Sequence, residues 1–319
     1  MNILVTGATG LVGNLAARRF ISQNHTVLAL VRNPERAAGL KDLGARLIQG
    51  DLEDADSLLK AAQDVDTVVH CAGLVGSGRA TAEDYSRVNF QGTRLLLQAA
   101  RQAGVRRFVF MSTVGVYGLN MLKANVDENT ALRRSNGYTN SKIDAEDAVR
   151  TSGVPYVILR PYWITGGGDR FLIPAIARLL TNGEFTYIGN AQQQWSLSVV
   201  ENVSAALATA ATHPAAVNKI YNVADATVKV SETVEIIAKA LGKHTPTART
   251  SVLSVALHSL FNQSENNPAR MTIDLFFPLW RSMTINSEKI RRELDWSPLV
   301  DWRESLRTGT LDWKRANPE

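Results

Sequence analysis

A tyrosine and a lysine stand four residues apart in the segment Tyr138-Thr139-Asn140-Ser141-Lys142. On a helix this spacing puts the phenol and the ammonium on one face. A phenol with an ordinary pKa of about 10 is a poor proton carrier at neutral pH. A nearby cation stabilises the phenolate and lowers that value, which makes Tyr138 a usable acid toward a carbonyl oxygen or base toward an alcohol. Such proton traffic suits the interconversion of a secondary alcohol and a ketone, provided another group moves the hydride.

The N-terminus offers a place for that group. Thr6-Gly7-Ala8-Thr9-Gly10-Leu11-Val12-Gly13 follows a short apolar run and precedes a segment of helical spacing. Glycines in such a strand–turn–helix unit let the backbone turn tightly and approach a pyrophosphate, while the helix start supplies free N–H groups. Gly7, Thr9, Gly10, Leu11, Val12 and Gly13 are therefore assigned to a dinucleotide. The next strand ends at Arg32, nineteen positions after Gly13, with Arg36 one turn on and no acid before Glu35. An acid there holds the ribose 2′-OH of NAD, whereas a guanidinium grips the 2′-phosphate of NADP. Arg32 and Arg36 thus argue for NADP over NAD. Asp51 and Leu52 follow the third strand; they either border the adenine or, for Asp51, cap the next helix.

These groups need a scaffold. Ile3–Thr6, Thr26–Val31, Ala45–Gln49, Thr67–Cys71, Arg107–Met111, Tyr156–Leu159 and Ile220–Val223 read as strands. Helical patterns lie between them at Leu11–Ser22, Pro34–Leu43, Asp54–Ala62, Ala82–Ala103, Tyr138–Thr151 and Ser231–Leu241, with Ser231 as a plausible cap. Continuous apolar strands alternating with helices predict an α/β fold, a doubly wound parallel sheet of Rossmann type. Residues 1–161, with 195–225 returning, are expected to form the dinucleotide-binding domain. Residues 162–194 and 226–319 are expected to form a smaller substrate-binding lobe. Its tail is rich in Phe261, Phe276, Phe277, Trp280 and Trp296, and 252–261 could be an amphipathic helix on a membrane surface.

Of 319 residues, 45% are hydrophobic and 20% charged, the balance of an ordinary globular protein. The net charge of +5 comes without a long basic run, so nucleic acid is not an expected partner. One cysteine, Cys71, excludes an intrachain disulfide, and no metal site is suggested. Met1-Asn2-Ile3-Leu4-Val5 enters a strand without a basic leader, and no apolar stretch reaches spanning length. The reading is a cytoplasmic protein with a small-molecule substrate.

Taken together and in order, these motifs resemble the short-chain dehydrogenase/reductase superfamily in its extended, epimerase/dehydratase branch. TGATGLVG is similar to the cofactor turn and Val69-His70-Cys71-Ala72-Gly73 to the fourth-strand motif. Val88–Thr93 is similar to the Asn-bearing helix, Met111–Gly118 to the strand with the catalytic hydroxyl, and YTNSK to the Tyr–Lys pair. The resemblance implies cofactor contacts at Ala72 and Gly73, and at Pro161 and Ile164 in Leu159–Gly166. It implies that Thr113, four positions before Tyr117, orients the substrate oxygen where most members carry Ser, with Ser112 as the alternative. It further implies that Lys142 also bonds the nicotinamide ribose. Asn89 either supports a proton relay through water or bonds main chain. Pairing through helices 82–103 and 138–151, giving a homodimer, is implied as well.

Sugar-nucleotide epimerases of this branch carry Asn near the position of Trp163. An indole, with one N–H, cannot hold a diphosphate in its place. Val114 stands where a dehydratase carries an acid. Pro268–Thr272 and Thr284–Pro298 are similar to the C-terminal region of 3β-hydroxysteroid-dehydrogenase-like members. The expected substrate is therefore apolar, sterol-like or of 3-oxo/3-hydroxy acyl type. The alternatives are a sugar-nucleotide epimerase or dehydratase with tightly held NAD(P), and a non-catalytic NADP-binding sensor; sensors of this fold commonly lack the Tyr or the Lys.

Overall fold

The computed structural model describes residues 1–76, 80–251 and 281–318. The first strands are β1 (Asn2–Thr6), β2 (Thr26–Val31), β3 (Arg46–Gln49), β4 (Thr67–His70), β5 (Arg107–Met111) and β6 (Tyr156–Pro161). Then come β7 (Ile164–Thr165), β8 (Tyr187–Ile188), β9 (Gln194–Val199), β10 (Lys219–Val223), β11 (Ala226–Lys229) and β12 (Arg249–Thr250). Among the described residues seven of these form one sheet in the order β10-β6-β5-β4-β1-β2-β3. Every pairing in it is parallel. The reversal of direction at β1 and β4 is the switch point at which open α/β sheets bind ligands, beyond the carboxyl ends of their strands.

The helices are α1 (Leu11–Ser22), α2 (Ala38–Lys41), α3 (Ala55–Ala62), α4 (Ala82–Tyr85), α5 (Gly92–Gln102), α6 (Gly137–Thr151), α7 (Leu172–Thr181), α8 (Val200–Thr212) and α9 (Val230–Leu241). Alternate strand residues bury on opposite faces of the sheet. Ile3 and Val5 join the core under α1 and α8, and Leu4 joins the one formed with α3, α5 and α6. At about 2 kcal/mol for each large apolar side chain removed from water, these two faces supply most of the driving force for the sheet. A third core gathers α7, α9, β9 and the C-terminal helix Trp302–Ala316. It backs a three-stranded sheet, β11-β9-β7, and a two-stranded one, β12-β8.

Four local expectations need correction. The helix after β3 is capped by Asp54, whose carboxylate accepts from Asp56 N and Ser57 N; Asp51 instead closes a tight turn onto Glu53 N. Lys229 occupies the capping position of α9, so Ser231 lies inside its first turn. The helix expected over 82–103 contains a π-helical stretch, Ser86–Gln91, between α4 and α5. Trp296 does not join the small lobe. The helix Glu288–Leu294 packs on β10 and ends at Asp295 in the left-handed conformation. The indole then turns into the core of α1 and α8, with the Arg291 guanidinium 5.2 Å above it. Phe261, Phe276, Phe277, Trp280 and the segment 252–261 lie outside the described residues.

Candidate active site

The turn between β1 and α1 is built for close approach. Gly7 has φ +71°, and a Cβ there would stand 2.6 Å from the backbone N of Ala72. A Cβ on Gly13 would stand 2.3 Å from the Gly7 carbonyl oxygen. No side chain longer than hydrogen fits at either position. Gly10 precedes α1 without a side-chain cap, and the first turn holds no acid. The N–H groups there are free of competing carboxylates, which is what a pyrophosphate requires. Ala72 and Gly73 leave β4 beside this turn. These residues fit a dinucleotide.

Arg32 and Arg36 are both exposed. Arg32 Nε lies 3.9 Å from Asp51, so Asp51 steadies this arginine rather than a helix end. Leu52 is buried and packs against Gly92, so its side chain belongs to the core beneath α5. Val12 is also buried, with Leu11 packed partly against the same core. Pro161 ends β6 at the carboxyl edge of the seven-stranded sheet, and Ile164, three residues on, opens β7 in the three-stranded one.

Tyr138 lies in the first turn of α6, which Asn136 and Thr139 cap reciprocally. Its hydroxyl shares a hydrogen bond with Thr113. Thr113 stands two residues past the end of β5 and also accepts from Gly115 N at 3.1 Å. The structure thus brings together the phenol and the hydroxyl chosen from sequence. Lys142 is buried, donates to the Met111 carbonyl at 3.0 Å, and lies 4.7 Å over the Phe110 ring.

The electrostatics differ from the simple expectation. Burial pushes the Tyr138 phenol up to about 12, against the Thr113 bond, with Tyr85 adding to the rise. Burial also pushes the Lys142 ammonium down to about 8, opposed by Cys71 and Glu146. In the protein by itself Tyr138 therefore holds its proton firmly, and the cation lowering expected from the four-residue spacing does not prevail. His70, clamped between Thr6 and Thr93 hydroxyls at 2.6 and 2.9 Å, is pushed by burial down to about 3. Burial pushes the Cys71 thiol up to about 12.

Asn89 sits in the π-helical stretch. Its amide oxygen accepts from Leu74 N at 2.6 Å, and its nitrogen donates to Leu74 O and Ser141 Oγ. Its bonds to Leu74 are the main-chain reading. Ser112 is likewise committed: its hydroxyl donates to Glu146 at 2.5 Å. Glu146 also receives Arg160, through Nε at 2.9 Å and Nη2 at 2.5 Å, and Arg160 Nη1 donates to the Tyr117 hydroxyl. Sequence reasoning passed over Glu146 and Arg160. The available signal was a carboxylate at spacings of four from Lys142 and eight from Tyr138, on the same helix face.

The carboxyl-end loops carry exposed apolar side chains: Val75 after β4, Leu119 and Leu122 after β5, and Phe171 after β7. A Cβ on Gly76 would meet the Phe171 ring at 2.6 Å, so two of these loops touch. Trp163 packs edge-on against Trp195, with ring centroids 5.5 Å apart.

Residues 3–224 match the profile of the NAD dependent epimerase/dehydratase family. The chain belongs to this family. It is an NAD(P)-dependent oxidoreductase acting on CH–OH groups. A ketoreductase of Stigmatella aurantiaca, acting on a farnesylated dihydroquinoline oxide, is 28% identical over 96% of this chain and 95% of its own. A 3 beta-hydroxysteroid dehydrogenase/isomerase of Mycobacterium tuberculosis is 27% identical over 95% of this chain and 88% of its own. The solved structure of MoeE5 with UDP-glucose and NAD has the same fold, with a TM-score of 0.77, 24% identity and 99% of both chains covered. Among the described residues no helix is long and apolar enough to cross a membrane, and no His/Cys/Asp/Glu group could hold a metal ion.

Proposed function

We propose that this protein interconverts a ketone and a secondary alcohol on an apolar substrate, of sterol-like or 3-oxo/3-hydroxy acyl type, with NADP. The observation that carries this reading is the Tyr138 hydroxyl bonded to the Thr113 hydroxyl, one helical turn from buried Lys142. A nicotinamide held at this site would supply or take up the hydride at the substrate carbon. Thr113 holds the substrate oxygen by hydrogen bonding. Tyr138, protonated at neutral pH, donates its proton to that oxygen during reduction. Lys142 keeps positive charge beside the forming phenolate and bonds the nicotinamide ribose. Arg32 and Arg36 face the 2′-phosphate, while the Gly7–Gly13 turn and the start of α1 receive the pyrophosphate.

The apolar loop residues Val75, Leu119, Leu122 and Phe171 support an apolar substrate. So does the resemblance to a ketoreductase whose substrate carries a farnesyl chain. The rival reading, a sugar-nucleotide epimerase, draws on the likeness to MoeE5. Trp163 counts against it: an indole packed on Trp195 offers at most one N–H where an amide would offer both donors and an acceptor. We also propose a homodimer through α5 and α6. Their outer faces form a groove of about 440 Å³, with Arg94 and Arg101 on one helix and Asp144 and Asp147 on the other.

The test is NADPH oxidation against ketones of increasing chain length, with NADH in parallel and Tyr138→Phe as control. The expected result is turnover rising with chain length, preference for NADPH, and a loss of about 10²–10⁴ in rate on removing the hydroxyl while NADPH still binds. An undiminished Tyr138→Phe rate would exclude the mechanism.

A further inference from the structure

One face of α6 holds three consecutive residues at the end of β5. Tyr138 bonds the Thr113 hydroxyl. Lys142, one turn on, donates to the Met111 carbonyl. Glu146, one turn further, accepts the Ser112 hydroxyl at 2.5 Å. Residues 111, 112 and 113 are thus each tied to the same helix, at positions four apart. Arg160 on β6 completes the clamp with two N–H groups on the Glu146 carboxylate. Its neighbour Leu159 accepts from Ser112 N at 2.8 Å. Both members of the ion pair are almost fully buried, at 2% and 0% side-chain exposure.

We infer that Glu146 is a positioning residue: through Ser112 it fixes where Thr113 presents its hydroxyl, and it sets a negative charge one helical turn from Lys142. The inference rests on the proposed roles of Tyr138, Thr113 and Lys142, and adds to them the residue that sets their alignment and charge.

Two features support the first part. Ser112 and Thr113 are adjacent on an extended backbone, so their side chains leave on opposite sides. A tether on one side chain therefore fixes the direction of the other. The carboxylate is also filled on both oxygens, by Ser112 and Arg160 Nε on one and Arg160 Nη2 on the other. A group so constrained has little freedom to drift.

The second part follows from the charges around Lys142. On β4 and the loop after it, His70 and Cys71 face the ammonium, and burial holds both neutral at pH 7. On α6, Tyr138 is neutral as well. Met111 on β5 offers only a carbonyl. Glu146 is the anion left among the groups bearing on Lys142, with the Arg160 cation on its far side. A charge in a dry interior acts over one helical turn with little screening.

The experiment compares Ser112→Ala, Glu146→Gln and the charge-balanced double variant Glu146→Gln/Arg160→Gln, with Tyr138→Phe as reference. Reduction of ethyl 3-oxooctanoate by NADPH is followed from pH 6 to 10. Ser112→Ala is expected to lower kcat about tenfold, with KM and the alkaline limb unchanged, because only the tether is lost. Glu146→Gln is expected to move the alkaline limb down by about one pH unit, because Lys142 loses its counter-charge. If Glu146→Gln does not fold, the double variant reports a smaller displacement in the same direction, because the Arg160 cation leaves with the carboxylate, and it holds no unpaired buried guanidinium. Wild-type kcat in Ser112→Ala, or an unmoved limb in the folded Glu146 variants, overturns the inference. Full turnover by Tyr138→Phe would instead overturn the reading on which it rests.

Discussion

Lys142→Met should make the protein more stable and inactive at once. Burial brings the Lys142 ammonium from 10.5 down to about 8. That difference corresponds to about 3 kcal/mol by which the fold disfavours the charged form relative to water. Methionine has nearly the same length and can lie on the Phe110 ring. It gives back the charge penalty but leaves the Met111 carbonyl without its donor, a loss of about 1–2 kcal/mol. The net expectation at pH 7 is a gain of about 1–2 kcal/mol, or a few degrees in Tm. The pH dependence follows from the direction of the shift. Below about pH 8 Lys142 is charged in both folded and unfolded chains, and the penalty is fully present. As pH rises from about 8 toward 10.5, the folded chain loses the proton while the unfolded chain still holds it, and the penalty fades. The advantage of the variant should therefore shrink over that window. Thermal melts without added cofactor at pH 7, 9 and 10 measure it, beside an NADPH-oxidation assay that should read zero. A variant less stable than the parent at pH 7, or an advantage that ignores pH, would refute the account of Lys142 as a costly buried cation.

Gly13→Ala should abolish cofactor binding and lower Tm, because its Cβ would stand 2.3 Å from the Gly7 carbonyl; NADPH fluorescence titration checks this. Arg32→Ala should weaken NADPH about tenfold and leave NADH unchanged, and equal effects on both would remove Arg32 from the 2′-phosphate. Phe171→Ser should raise KM several-fold for long-chain ketones and leave short ones untouched, since Phe171 is half exposed at the carboxyl edge of the sheet. The rate of reduction should fall as pH rises through about 8, where Lys142 loses its charge; a rate flat to pH 10 would deny the ammonium its role.

The parallel sheet was legible because its strands are continuous apolar runs, and the turn because Gly7, Gly10 and Gly13 stand at fixed offsets. What escaped has physical causes. Helix α8 is buried nearly all round by small residues, among them Ala205, Ala206, Ala208, Ala210 and Ala211, so no polar stripe marks its period. Strand β9 hides Trp195, Leu197 and Val199 together with Ser196 and Ser198, and loses the alternation that reveals a half-exposed strand. At the site, Tyr138 and Lys142 were chosen for their spacing and Thr113 from the family resemblance; the structure joins Tyr138 to Thr113 and ties Lys142 to the Met111 carbonyl. Glu146 and Arg160 were passed over because their pairing depends on β5, β6 and α6 meeting in space. The direction of the Tyr138 shift was misjudged because spacing shows a neighbouring cation but not the depth of burial.

The indole of Trp296 closes the hollow between the first helix of the chain and the sheet it covers, in company with Ile290, Leu294 and the alanines of α8. The cofactor turn, Gly7–Gly13, and the wall behind it, Ile290–Trp296, come from segments far apart in sequence. An N-terminal fragment ending after β6 would expose the apolar back of α1. The nucleotide half thus draws part of its packing from residues 290–296, long after β6 in sequence.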